Sequence, residues 1–248
     1  MKISGYEVTT LNIPEDDPLA NMPEEAGRKR PVVILRLRTD AGLEGLGVTF
    51  YGGAMTGSLK VAVEELSELT IGEDSLRIEH IIAKLREAAG DACGPGGIFN
   101  LALSAIDVAL WDIKGKALNK PVYELLGGKE QEFVIPYASL QPVGHSFEEY
   151  RDSLVAWAEK AKNLGFKAVK SEVTLNGPYA HSGLNENDDK TTEVVAAVRK
   201  ALGPDIELMI DVQYRWKDAE EALRTVKDWA EFNIYFLETP VWTDDIKS

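Results

Sequence analysis

The sequence has little cysteine, little positive charge and no long apolar run. Its 248 residues include one cysteine, Cys93, so no disulfide can form within the chain and thiolates alone cannot hold a metal ion. We expect Cys93 to be a passive thiol. No apolar run reaches the roughly 20 residues that span a bilayer, and no signal-peptide core follows Met1. These absences predict a cytoplasmic protein with no membrane partner.

Acidic residues dominate the charge. The chain carries 41 acidic and 27 basic residues, a net charge of −14 at pH 7. Binding to phosphates requires the opposite sign, so the composition argues against a nucleic-acid partner. The basic cluster Arg28-Lys29-Arg30 is short and has acidic neighbours, and we interpret it as a solvated loop.

The first half of the chain mixes strands and helices. Residues 3–13 and 32–38 have strand character, and a turn containing Asp40 and Gly42 leads to a further strand at 43–50, which predicts a β-hairpin. The segment Pro14–Pro31 has no periodicity and is interpreted as a long loop. Helices are expected at 58–70, 77–89 and 98–117, the last of them buried because it is largely apolar.

From Phe133 onward the pattern alternates between strands and helices. We predict strands at 133–140, 167–173, 206–211 and 234–238, and helices at 147–164, 189–202 and 217–232. Regular alternation of this kind is typical of an α/β domain with a parallel sheet.

Two of these strands end on an acid. The apolar run from Ile206 stops at Asp211, and the run from Ile234 stops at Glu238. If the sheet closes into a barrel, adjacent strands place these carboxylates side by side at its C-terminal mouth, where barrel enzymes keep their active sites.

The strand at 167–173 carries a second pair of charged residues. Side chains alternate across a strand, so Lys170 and Glu172 point one way while Val169, Ser171 and Val173 point the other. A lysine and a glutamate at this end of an inner strand are placed for proton transfer. A salt bridge that merely finishes the strand is an equally good interpretation of this segment alone.

Five segments together resemble a known family. They are Ser104–Lys116, Pro121–Gly128, Gly165–Lys170, Ile210-Asp211 and Phe236–Glu238. In this order and spacing they resemble the enolase superfamily, specifically its mandelate racemase and muconate lactonizing enzyme branch. The resemblance covers essentially the whole chain.

The resemblance implies an α+β capping domain at residues 1–130, followed by a (β/α) TIM-type barrel. Residues 131–248 would supply only about the first four βα units. It also implies a Mg²⁺ ion held by three acids at the ends of the third, fourth and fifth barrel strands. Asp211 and Glu238 match the first two of these metal ligands. The resemblance further implies that a base removes the proton next to the carboxylate of a small-molecule substrate.

The sequence departs from the family pattern in two ways. Racemase-like members carry Lys-x-Lys on the second strand, and the second lysine serves as base. Here Lys170 matches the first lysine, and Glu172 stands in place of the second. Glu172 could be a base with a raised pKa, could tune Lys170, or could bind a substrate hydroxyl. A barrel also needs about 250 residues, so we expect either a truncated sequence or a natural fragment that pairs with itself or with another half.

The family resemblance favours dehydration of an acid sugar. Gln213 stands where some members have a histidine, and Gln213, Arg215, Asn176 and Tyr51 are candidate substrate contacts. A racemase, epimerase or cycloisomerase on the same scaffold is the second hypothesis, and a catalytically incomplete fragment is the third. We also expect a homo-oligomer.

Overall fold

The computed structural model describes residues 1–14, 29–50, 54–89 and 96–242. This part of the chain forms two compact units, one extending to Glu132 and the other beginning at Phe133. Each unit has an apolar core of its own. Tyr51 and Cys93, and most of the predicted loop Pro14–Pro31, lie outside the described residues.

The N-terminal unit contains an antiparallel sheet of three strands in the order β1-β2-β3. These are β1 (Ile3–Pro14), β2 (Lys29–Thr39) and β3 (Glu44–Thr49). β2 and β3 pair antiparallel across the short turn, which confirms the hairpin. β1 and β2 run further than expected, because Pro14 and Lys29, assigned to the loop, still belong to paired strands.

Within the described ranges of this unit, four helices follow the sheet: α1 (Thr56–Glu68), α2 (Ile78–Ala88), α3 (Gly97–Leu118) and α4 (Val122–Leu125). The first three confirm the predicted helices. α3 is buried over only part of its surface, because the side chains of Val108 and Leu118 are exposed. It packs closely on β3, since a Cβ at Gly47 would lie 1.9 Å from the carbonyl oxygen of Ala105. Only glycine allows this approach. None of the helices in the described ranges is long and apolar enough to cross a membrane.

The C-terminal unit contains a parallel sheet of four strands in the order β4-β5-β6-β7. The strands are β4 (Ala138–Leu140), β5 (Ala168–Glu172), β6 (Glu207–Asp211) and β7 (Ile234–Glu238). The intervening helices are α5 (Phe147–Asn163), α6 (Asp188–Leu202) and α7 (Ala219–Val226), and a 3₁₀ helix at Lys227–Phe232 continues α7. The alternation predicted from the sequence is confirmed in this unit.

Two expected elements are corrected by the structure. The strand predicted at 133–140 is limited to Ala138–Leu140. Pro136 lacks an N–H group for a strand ladder, and the apolar side chains of Phe133 and Val134 are exposed rather than paired into the sheet. The helix predicted at 217–232 tightens into the 3₁₀ form over its last residues, as helix ends often do.

Arg199 on α6 holds the N-terminal edge of the parallel sheet. Its guanidinium donates to four backbone carbonyl oxygens, at 2.7 to 3.1 Å, belonging to Gly203, Ile206, Phe232 and Asn233. Ile206 precedes β6 and Asn233 precedes β7, so one side chain ties the starts of both strands to the end of α6.

Candidate active site

The last residues of three neighbouring parallel strands are acidic. Glu172 ends β5, Asp211 ends β6 and Glu238 ends β7, and the register pairs Glu172 with Asp211 and Asp211 with Glu238. Parallel strands in register end at the same edge of a sheet. The structure confirms that Asp211 and Glu238 lie side by side, and it places Glu172 in the same row.

The side chains of β5 alternate as expected. Val169 and Ser171 are fully buried, whereas Lys170 and Glu172, on the opposite face, are partly buried. This alternation brings Lys170 to the acidic row. Its Nζ lies 2.8 Å from Oε2 of Glu238 and 4.0 Å from Oδ2 of Asp211.

Lys170 is held as a cation in this arrangement. Burial acts to lower the pKa of Lys170, but the hydrogen bond and the negative charge of Glu238 outweigh it, so the pKa is raised. The side chains of Lys170 and Asp211 are only 15% and 13% exposed, which limits screening by water. The ammonium group is therefore poorly suited to accept a proton here.

The two oxygens of Asp211 have different surroundings. Oδ1 accepts a hydrogen bond from the backbone N–H of Gln213 at 3.0 Å and another from the Thr239 hydroxyl at 2.9 Å. Oδ2 faces the Lys170 ammonium. The carboxylate is thus fixed in orientation, with one oxygen turned toward positive charge.

The carboxyl group of Glu172 has a raised pKa. Burial raises its pKa, and the neighbouring charge of Asp211 adds to the increase, while a 3.0 Å hydrogen bond from the Thr174 hydroxyl to Oε1 opposes it. The buried Tyr150 hydroxyl accepts from the Thr174 N–H at 2.8 Å and donates to the Glu172 backbone carbonyl at 3.2 Å. These bonds hold the end of β5 and give Glu172 a defined position.

Carboxylate oxygens are the ligands that a hard divalent cation prefers. Oδ2 of Asp211 and Oε2 of Glu238 converge on one positive charge, so this pair is arranged to bind a cation. No set of three His, Cys, Asp or Glu side chains within the described ranges is arranged to hold a metal ion. Two protein carboxylates nevertheless fit Mg²⁺, which commonly completes its shell with water and substrate oxygens.

The residues after β6 adopt an unusual backbone conformation. Gln213 and Tyr214 have φ angles of 41° and 62°, in the left-handed region that non-glycine residues rarely enter. Arg215 turns inward, and its guanidinium bonds to the carboxylate of Asp188 and the backbone carbonyl of Glu186. Substrate contacts by Gln213 and Arg215 stay predictions, and the bonds of the Arg215 guanidinium are made within the protein.

Asn176 and Tyr51 were the other predicted substrate contacts. Asn176 lies on the loop after β5, where its Nδ2 donates to the Glu186 carbonyl and its Oδ1 accepts from the Gly177 N–H. Both ends of its amide are therefore bonded within the loop, and its contact with substrate stays a prediction. Tyr51 lies outside the described residues.

Three residues of the site were missed by sequence reasoning. Thr174 and Thr239 each lie within two residues of a predicted acid, and strand alternation offered a signal for Thr174, which follows Glu172 by two positions. Tyr150 gave no signal, because it comes from α5 and reaches Glu172 only through the fold.

Two family models match the chain. "Mandelate racemase / muconate lactonizing enzyme, N-terminal domain" matches residues 7–127, and "Enolase C-terminal domain-like" matches residues 153–248. The protein belongs to the enolase superfamily, with an N-terminal capping domain and a C-terminal barrel-like domain. The resemblance drawn from the five sequence segments is confirmed.

Similar proteins include a dehydratase relative, a cycloisomerase and a racemase. The chain is 32% identical to the D-galactonate dehydratase family member RspA of Cellvibrio japonicus (strain Ueda107), over 88% of this chain and 58% of that protein. The structure of the 3,6-anhydro-D-galactonate cycloisomerase from Zobellia galactanivorans matches with a TM-score of 0.78 and 30% identity, over 99% of this chain and 60% of that one. A racemase from Streptomyces coelicolor A3(2) with bound magnesium matches with a TM-score of 0.79 and 27% identity, over 98% and 64%. The chain thus spans about 60% of the length of these relatives.

Proposed function

We propose that the protein removes the proton next to the carboxylate of an acid sugar, with Mg²⁺ as cofactor, and that loss of water follows. The row of Glu172, Asp211 and Glu238 beside Lys170 carries this proposal. Such a carbon acid is far too weak for a side-chain base unless the negative charge that develops on the carboxylate is stabilised. The row offers oxygen ligands, a fixed cation and a partly buried carboxylate at one edge of the sheet.

Asp211 and Glu238 would hold Mg²⁺, the metal bound in the related racemase structure. When bound, Mg²⁺ supplies positive charge that stabilises the charge developing on the substrate carboxylate. The Gln213 N–H and the Thr239 hydroxyl hold Oδ1 of Asp211, so the carboxylate is fixed with Oδ2 directed toward positive charge.

Glu172 is the base in this proposal. Burial raises its pKa, and a carboxylate with a raised pKa is a stronger base than an exposed one. Thr174 orients it through Oε1. Lys170 stays protonated beside Glu238 and adds positive charge near the substrate carboxylate. The replacement of the second lysine of Lys-x-Lys by Glu172 therefore moves the basic function from an amine to a carboxylate.

The dehydration is balanced as follows. Glu172 accepts the proton from the carbon next to the carboxylate, and the electron pair of that C–H bond moves into the carboxyl group to form an enediolate. The electrons return to form a C=C bond as the hydroxyl on the neighbouring carbon leaves. The proton now on Glu172 is available to that hydroxyl, which departs as water, and the resulting enol becomes a 2-keto acid.

A racemase, epimerase or cycloisomerase shares the first step and loses no water. The match to a cycloisomerase structure over 99% of this chain favours keeping this second candidate. A third candidate is a catalytically incomplete fragment, because the described residues provide two metal carboxylates and the chain spans about 60% of its relatives.

We further propose that the capping domain comprises residues 1–130 and that β4 to β7 are the first four strands of a (β/α) barrel. The division of the described residues near Glu132 supports the domain boundary. The parallel order β4-β5-β6-β7, with helices between consecutive strands, supports the barrel.

Proton NMR in D₂O, with Mg²⁺ and a panel of aldonic and aldaric acids, tests the reaction. Loss of the signal of the proton next to the carboxylate reports its abstraction, and a 2-keto product distinguishes dehydration from racemisation or cyclisation. We expect Glu172→Gln to abolish both signals of reaction. Glu207→Gln, at the exposed opposite end of β6, should leave them unchanged. If no acid shows exchange or product although Mg²⁺ still binds, that result would contradict the proposed reaction and favour the incomplete fragment.

A further inference from the structure

The carboxylate of Asp188, the first residue of α6, accepts hydrogen bonds from three side chains. Arg215 Nη2 lies 2.5 Å from Oδ1, while Trp216 Nε1 and the Thr225 hydroxyl lie 3.1 and 2.6 Å from Oδ2. Arg215 is 10% exposed and Trp216 is fully buried. We call these four residues the Asp188 cluster. It joins the start of α6, the loop after β6 and helix α7.

Capping of α6 does not require Asp188. Asn187 is the N-cap residue, and its side chain already accepts a hydrogen bond from the Lys190 N–H. Asp188 and Asp189 both place negative charge in the first turn, where it interacts favourably with the helix dipole. Only Asp188 also bonds to the loop after β6, so its distinctive contribution lies in that loop.

The loop held by the cluster is Gln213–Trp216. It contains the two left-handed residues Gln213 and Tyr214, and such conformations persist only where the surroundings enforce them. On one side, the N–H groups of Tyr214 and Trp216 bond to the carbonyls of Thr239 and Pro240. On the other side, Asp188 binds the side chains of Arg215 and Trp216.

The loop begins at the candidate metal site. The N–H of Gln213 donates to Oδ1 of Asp211, and its direction depends on the left-handed turn at Gln213. The Arg215 guanidinium also reaches the Glu186 carbonyl, which accepts from Asn176 as well, so the loops after β5 and β6 are tied together at one point. A change at Asp188 can therefore reach Asp211 through the loop Gln213–Trp216, whose first two residues have a left-handed backbone.

We propose that Asp188 is a positioning residue for the active site. It holds Gln213–Trp216 in the conformation that directs the Gln213 N–H to Asp211 and keeps this loop at the mouth of the sheet. The part of this inference that concerns metal affinity rests on the proposed function, whereas the part that concerns the loop does not.

Hydrogen exchange and Mg²⁺ calorimetry on the 248-residue chain test the two parts separately. Asp188→Asn retains the shape of the side chain but removes its charge and one acceptor oxygen. We expect amide exchange across residues 212–216 to accelerate at least fivefold, and Mg²⁺ affinity to fall at least threefold. The matched control is Asp189→Asn, which removes the neighbouring exposed charge of the same helical turn and should change neither quantity.

Unchanged exchange at 212–216 in Asp188→Asn would overturn the proposal. Faster exchange with unchanged Mg²⁺ affinity would overturn the role at the site and leave only a role in loop stability. If the parent chain binds no Mg²⁺, the proposed function fails on its own, and the exchange result still decides whether Asp188 holds the loop. If Asp188→Asn does not fold, Arg215→Gln breaks the same ion pair from the other side and should give the same changes.

Discussion

The two edges of the parallel sheet use charge in opposite ways. At the N-terminal edge, the Arg199 guanidinium donates hydrogen bonds to backbone carbonyls of the segments that precede β6 and β7. At the C-terminal edge, Lys170 lies among the carboxylates of Asp211 and Glu238, and the partly buried Glu172 lies in the same row. The first arrangement satisfies backbone carbonyls, and the second concentrates charged side chains at the ends of neighbouring strands.

This difference indicates that charged residues at the N-terminal edge contribute to stability, whereas those at the C-terminal edge form the candidate site. Charged hydrogen bonds to otherwise unsatisfied carbonyls stabilise the fold. Like charges gathered at the ends of neighbouring strands cost stability, and they are retained where a site needs them. In barrel folds the same division holds, with stability at the N-terminal face and catalysis at the C-terminal face. Substitutions at the two edges should therefore change different quantities.

The largest effect on stability is expected at Arg199. Arg199→Met leaves the carbonyls before β6 and β7 without their charged donor, and should lower the free energy of unfolding by about 3 kcal/mol. Mg²⁺ affinity, measured below the unfolding transition, should stay within twofold of the parent value. Urea unfolding followed by tryptophan fluorescence gives the first quantity.

Lys200→Met is the matched control for Arg199→Met, because Lys200 is the next residue on α6 and is exposed. It should leave stability nearly unchanged. The proposed difference between the two edges would be contradicted if Arg199→Met were as stable as the control, or if it abolished Mg²⁺ binding while remaining folded.

A smaller effect is expected at Thr239, which belongs to the C-terminal edge. Thr239→Val keeps the branched shape but removes the hydroxyl that donates to Oδ1 of Asp211, at a cost of about 1 kcal/mol. Mg²⁺ affinity should fall severalfold, because Asp211 loses one of the two donors that orient it. Thr239→Ser restores the hydroxyl and should recover most of the affinity; failure to recover it would show that the donor is not the cause.

Glu172 should show the opposite sign of effect on stability. Burial raises its pKa in the folded protein, so the folded state binds this proton more tightly than the unfolded chain. The corresponding stabilisation is present below the ordinary pKa of a glutamate and is lost as the pH rises through the raised value. At pH 7 the buried charge therefore costs stability.

Glu172→Gln removes that cost and should raise the melting temperature at pH 7. The gain should shrink as the pH is lowered toward the ordinary glutamate pKa, because the parent side chain then becomes neutral too. Thermal unfolding of both proteins between pH 4 and pH 8 measures the difference, with Glu207→Gln on the exposed end of β6 as control. A gain that is independent of pH would contradict the assignment to the buried charge.

The positions of the main charged residues followed from the sequence because they depend on local rules. Apolar runs that end on an acid located Asp211 and Glu238, and alternation along β5 located Lys170 and Glu172. Order and spacing of the five family segments predicted the capping and barrel-like domains. The exception was the strand at 133–140, whose β-rich composition did not reveal that its first half is exposed.

The residues that hold the site in place were not predictable in this way. Tyr150, Asp188 and Thr239 reach their partners across 24, 27 and 28 residues of sequence, through contacts that exist only after the helices pack on the sheet. The direction of the Arg215 side chain depends on the left-handed turn at Gln213 and Tyr214, and neither glutamine nor tyrosine predicts such a turn. Composition and periodicity carry no information on these loop conformations.

The most direct test of the assignment of Asp211 and Glu238 is a calorimetric titration of the 248-residue chain with Mg²⁺. The parent chain should bind the ion, Asp211→Asn and Glu238→Gln should each weaken binding at least tenfold, and Glu207→Gln on the same strand as Asp211 should bind like the parent. Equal binding by all four proteins, or none by the parent, would contradict a magnesium site built on this edge of the sheet.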